Sequence, residues 1–317
     1  MADSAPKKRI LAKKTPLFVE VMKRLIKEKP LGLFGGVITL VFLFTGIFAN
    51  VIAPYGMNQG LGEYIQPPSA RFILGTDNIG RDLFSRIIYG ARISVVIGLA
   101  STTLGTIGSL LIGLSVYIGP KFDLIMQRIV DAWMCFPALV LAMVIMSMVG
   151  VGTTQVILVI SFTLAWSGSR IVRGAIMQVM ANPYVDSAKS MGCSHARIIM
   201  RHIMPNIVGP ILMLFSVRVP EAILLEASLS FLGFGVAPPT PSWGIMLSGP
   251  GRHWMFLAPW MAVWPGLALA VVVYGVNMFG DAMRDLLDPR LRGGTGRFGA
   301  KIKAKRAKKL EAVNANG

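Results

Sequence analysis

The charged residues that interrupt apolar runs are the side chains best placed to act in this chain. Arg218, Glu221 and Glu226 lie in or beside a stretch, residues 207–227, otherwise dominated by Ile, Leu, Val, Met and Phe. An ionised group at membrane depth faces water, protein or an opposite charge, not lipid. Arg218 and Glu221 are three residues apart, so they meet on one helix face if the helix survives Pro220. Glu226 has no local partner in the sequence. Two uses follow for this set: lining a polar path, with Glu226 nearest whatever passes, or pairing between helices. In a second apolar run, Asp131 has Arg128 one turn away, and structural pairing is its expected role.

Catalytic and metal chemistry find little support. His195, His202 and His253 are scattered, and Cys135 and Cys193 have neither metal-site nor disulfide spacing. Gly294, Gly296 and Gly299 match a nucleotide-binding glycine pattern but sit in a polar tail with no strand before them. Gly294 and Gly299 also have phosphate-loop spacing, yet Ala300 stands where that loop needs a lysine. The chain is therefore not expected to hydrolyse a nucleotide or to bind a cofactor or metal.

The elements that position these residues are membrane helices. The chain has 317 residues, 54% of them hydrophobic and 15% charged. Its mean hydropathy is +0.62. Runs of roughly 18 apolar residues are long enough to cross a bilayer. Six spans are expected: 31–53, 93–118, 125–149, 154–171, 207–227 and 261–283. Pro137 is expected to kink the third. Ser101, Gly105, Ser109 and Gly113 recur every four residues in the second, a spacing that lets helices approach closely in lipid. A connecting segment over 54–90 is expected to end in an interfacial helix from Arg81. The segment 228–260 carries prolines and glycines that disfavour regular helix and is expected to fold back as a scoop. Trp243, Trp254, Trp260 and Trp264 suit an interfacial aromatic belt.

The charge locates the two sides. Residues 1–30, 170–206 and 284–317 carry +6, +4 and +7, the whole of the net +17. Basic excess confined to the flanks of apolar runs is the positive-inside pattern and argues against nucleic-acid binding. It puts both tails and the 172–206 loop in the cytosol. The expected organisation is a basic tail over 1–30, a six-helix domain over 31–283 and a second basic tail over 284–317. Residues 17–26 suit a short amphipathic helix on an anionic bilayer surface.

The 182–206 loop is a polar, basic island between apolar runs. Asn182 suits a helix cap and Pro183 a first helical position. Tyr184, Ala188 and Met191 recur at helical spacing as one apolar face. Gly192 stops this helix, Ser194 caps a second, and Pro205 is expected to break it. Asp186-Ser187-Ala188, then Gly192, then His202-Ile203-Met204-Pro205 keep the full spacing of a loop pattern. That pattern resembles the cytoplasmic loop of ABC importer permeases, with Asp, Ser, His and Met replacing four of its consensus residues. LGTDNIGRD from Leu74, LSFLGFGVAPPTPSWG from Leu229 and GDAMRDLLDPRLR from Gly280 resemble the C-type permease subunit of dipeptide, oligopeptide and nickel importers.

The resemblance implies an all-α, type I importer permease fold in the bacterial inner membrane. It implies a heterodimer with a B-type permease, two ATP-binding subunits carrying ATP and Mg, and an extracytoplasmic solute-binding protein. It also assigns Tyr184, Val185, Asp186, Ser187, Ala188, Met191 and Gly192 to docking on the ATPase. A secondary transporter or channel is the alternative class and would need no such partner.

Overall fold

The computed structural model describes residues 25–26 and 28–287. Most of both basic tails, nearly all of the amphipathic segment expected over 17–26, and the glycine pattern at Gly294 lie outside the described residues. Those described are mostly helical and include no strand, only isolated bridges joining Gly60 to Arg81 and Thr76 to Asp82.

In chain order the helices are α1 (Pro30–Ile47), α2 (Ala49–Ile52), α3 (Leu83–Gly113), α4 (Ser115–Ile118), α5 (Pro120–Met134), α6 (Ala138–Val149) and α7 (Thr153–Met180). They continue with α8 (Pro183–Ser190), α9 (His195–Ile198), α10 (Met204–Phe231), α11 (Trp243–Met246), α12 (Arg252–Trp254) and α13 (Trp260–Leu287). Among the described residues five helices are long and apolar enough to cross a membrane, or six crossings if α5 and α6 count as one bent span.

Several expected elements change on folding. The interfacial helix from Arg81 does not form separately. Asp82 caps α3 instead, its carboxylate accepting from Ser85 N, and 31 residues run on without a break. The expected third span is two helices meeting at 89°. Pro137 lacks an N–H, its ring excludes the carbonyl four residues back, and it pushes Phe136 out of helical geometry. Those effects end one helix and start another instead of bending one. The fourth span runs nine residues beyond its expected end, to Met180. Pro205 does not break its helix. It occupies the first turn of α10, and a π-helical segment over Ile199–Ile203 joins α9 to α10. The 228–260 segment carries short helices α11 and α12 despite its prolines.

Close approach builds the bundle. Ser109 Oγ donates to Ala165 O at 3.0 Å, and a Cβ on Gly105 would lie 2.8 Å from Leu164 Cβ. The four-residue stripe on α3 therefore faces α7. On the other side α1 packs antiparallel to α13, where a Cβ on Gly35 would lie 2.5 Å from Gly275 O. With lipid as the alternative solvent, such contact replaces hydrophobic burial as the associating force. Lys29 Nζ also donates to Asp285 Oδ2 at 2.6 Å, which ties the start of α1 to the end of α13. Trp243 is a core residue instead of a belt residue. It is 2% exposed, packs with Phe42, and donates from Nε1 to Ile87 O at 3.1 Å.

Candidate coupling surface and intramembrane charges

Helix α8 starts at Pro183 and stops in a paired turn. Gly192 N donates to Lys189 O at 2.9 Å and Cys193 N to Ala188 O at 3.1 Å. Gly192 sits at φ +75°, the left-handed conformation that this turn demands. The Asn182 side chain does not cap α8. It donates back to Gln178 O and Val179 O, closing α7. Ser194 caps α9, accepting from Arg197 N at 3.4 Å.

The face that α8 buries differs from the one its sequence suggests. Val185 and Ala188 are at 0% and 1% exposure, packed with Ile176 and Val179 of α7, Ile198 of α9 and Ile207 of α10. Tyr184 and Met191 point outward, at 43% and 76% exposure, and Asp186, Ser187 and Gly192 are exposed beside them. The expected Tyr184–Ala188–Met191 apolar face is thus corrected to a Val185–Ala188 anchor. An eight-residue helix with two neighbouring apolar positions can turn either to the core, and small side chains seat closer to α7 and α10. Further contacts fix the loop: His195 Nδ1 lies 3.2 Å from Tyr117 Oη, and the Tyr184 ring rests near His202. Lys189 pairs with Asp186 at 3.1 Å across exposed surface, a contact worth well under 1 kcal/mol.

A second set of contacts ties α5 to α7. Arg173 grips Asp123, which also accepts from Ser115 Oγ at 2.9 Å. Two turns further along α5, Asp131 pairs with Arg170 and, at 3.7 Å, with Arg128. The Arg128 pairing was readable from the sequence. The ladder to α7 was not, because it joins residues 39 and 50 positions apart.

The intramembrane charges separate into two environments. Arg218 Nη1 donates to both oxygens of Glu221 at 3.1 Å, and Glu221 is half exposed. Glu226 is wholly enclosed by its own chain, where Oε1 accepts from Ser230 Oγ at 2.8 Å. Ser242 lies against the carboxylate, and Oε2 has no hydrogen-bond partner of ordinary geometry. The structure does not bring the three expected pathway residues together. Arg218 and Glu221 share a face, and Glu226 is enclosed with Ser230 one turn further along the same helix. Among the described residues no cluster of His, Cys, Asp and Glu could hold a metal ion.

Comparison with known proteins gives this geometry its family. Residues 101–293 match the model for the binding-protein-dependent transport system inner membrane component. A Brucella suis protein, provisionally described as a peptide transport system permease, is 38% identical over 260 residues, covering 80% of this chain and 88% of its own. The glutathione transport system permease protein of Escherichia coli is 35% identical over 273 residues, covering 85% and 90%. An inward-facing structure of the MetNI methionine ABC transporter superposes with a TM-score of 0.53 at 15% identity, over 64% of this chain and 96% of that one, and so shares the fold. The chain belongs to the binding-protein-dependent transport system inner membrane component family of permeases.

Proposed function

We propose that this permease forms one half of an ATP-driven peptide importer, and that α8 is the handle gripped by a separate cytosolic ATPase. The bent α5–α6 pair counts as one crossing, giving six. Both termini and the α8 loop then share the cytosolic side of the inner membrane, in keeping with the distribution of basic residues. The assembly comprises a related B-type permease, two ATP-binding subunits holding ATP and Mg, and an extracytoplasmic solute-binding protein. Peptides are the proposed cargo because similar permeases are described for peptides and for glutathione.

One observation carries the reading: α8 is anchored inward by Val185 and Ala188 while Tyr184, Asp186, Ser187, Met191 and Gly192 stay exposed to a partner. Through that anchor a push on α8 reaches α7 and α10 together. From α7 it passes through the Asp123–Arg173 and Asp131–Arg170 pairs to α5 and the bend at Pro137. Along α10 it reaches the Arg218–Glu221 face, which we assign to the pathway. Purification of the tagged chain in mild detergent tests the reading. A nucleotidase should accompany it, and dipeptide uptake by the reconstituted assembly should require ATP. Uptake that persists with no ATPase present would instead favour a secondary transporter.

A further inference from the structure

At the end of the bundle opposite α8, the segment before α3 and the segment after α10 enclose a cavity of about 560 Å³. Asp77, Arg81 and Arg86 border it on one side, and Pro239, Thr240 and Ser248 on the other. Both arginines are withdrawn from water, with side-chain exposures of 12% for Arg81 and 5% for Arg86.

The two guanidinium groups share one carboxylate. Asp77 Oδ2 accepts from Arg81 Nε at 2.7 Å and lies 3.8 Å from Arg86 Nε. Its Oδ1 is occupied by the backbone N–H groups of Ile79 and Arg81. Arg86 Nη1 donates to Met57 O at 3.0 Å. Asp77 is the one acid among the described residues that border the cavity. Nearby acids are engaged elsewhere: Asp82 caps α3, Glu63 pairs with Arg71, and Glu226 lies behind Ser230 without reaching the space. Among the groups that line this sheltered hollow, two guanidinium groups therefore face one carboxylate, with guanidinium donors to spare. Such a fork binds a carboxylate more strongly than it would in open water.

The walls are already built. Leu61 N donates to Gly80 O at 2.8 Å, and Trp260 Nε1 donates to Thr76 O at 3.3 Å. With its amide oriented as its neighbours require, Asn58 donates to Pro239 O at 2.9 Å and joins the two segments. Little ordering remains for a ligand to impose, which favours affinity.

We propose that this cavity receives an acidic side chain on a loop of the solute-binding protein, its carboxylate seated by Arg81 and Arg86. The assignment rests on the importer reading, which turns this end of the bundle outward. Its volume suits a protruding loop. It also lies among the connecting segments, and neither Glu221 nor Arg218 borders it. A site that held a carboxylate this firmly would also retain a passing substrate, whereas conduction needs release.

The test uses the complete transporter in nanodiscs and its own substrate-loaded binding protein. Ser248→Glu places a carboxylate inside the cavity, and Arg81→Gln removes one cation. Either change should weaken docking by about tenfold or more and flatten its salt dependence. Each variant should still assemble with its partner subunits by gel filtration. Arg71→Gln, an exposed arginine outside the cavity, should dock as wild type. Unchanged docking in Ser248→Glu and Arg81→Gln would overturn the assignment. So would unchanged docking with an altered KM for peptide, which would give the cavity to the substrate. If no binding protein docks on the wild-type assembly, the importer reading itself fails, and this assignment fails with it.

Discussion

Arg173 holds Asp123 with two nitrogens, Nη2 to Oδ2 at 2.5 Å and Nε to Oδ1 at 2.9 Å. The pair joins α5 to the part of α7 that leads directly into α8, so anything that moves the loop also moves α5. Arg173→Ala leaves Asp123 nearly buried with Ser115 as its remaining hydroxyl partner. The expected loss is about 1–3 kcal/mol, read as a lower melting temperature of the detergent-purified assembly. The exchange Asp123→Arg with Arg173→Asp should recover part of it, as a double-mutant cycle would show.

The two faces of α8 should respond differently to substitution. Met191→Glu changes an exposed position, so the chain should fold and reach the membrane normally while uptake drops by about tenfold or more. Val185→Asp puts a carboxylate into the core shared with α7 and α10, and membrane abundance itself should fall. Quantitative blotting beside transport assays separates the two effects.

Gly192 tests the loop's shape alone. A Cβ there would meet nothing within 4 Å, but the residue sits at φ +75°. Gly192→Ala should therefore cost about 1–2 kcal/mol of local stability without a steric clash. Faster amide hydrogen exchange confined to residues 183–198 would register that loss.

Glu226 is enclosed by its own chain in this conformation, and transport decides its place in the path. Glu226→Gln can keep the bond from Ser230 and should transport at close to the wild-type rate. Glu226→Leu removes the acceptor and leaves Ser230 without it, and should lower thermal stability by about 1–3 kcal/mol. Lost uptake in a normally assembled Glu226→Gln would return Glu226 to the pathway.

Much of the fold was legible because membrane helices announce themselves by apolar length. The α3 stripe was legible because small residues every four positions leave close packing as their use. Gly192 was readable because a left-handed stop favours glycine. The 89° break was not, since a proline inside an apolar run fits a mild kink or a full separation equally well, and tertiary contacts decide between them. The orientation of α8 was hidden because Tyr184 and Val185 are both apolar and adjacent. In the sequence the cavity arginines mark only the start of an expected interfacial helix, because nothing local shows that a segment more than 150 residues away closes over them.

Crosslinking at α8 tests the central claim most directly. Cys135 and Cys193 are both free thiols, so they are first replaced by serine, and a single cysteine is placed at Met191. In a transporting assembly that cysteine should crosslink to an ATP-binding subunit, and its yield should change when ATP is trapped. Labelling of the same cysteine from the extracytoplasmic side, or full transport with no crosslink to any nucleotide-binding partner, would contradict the account.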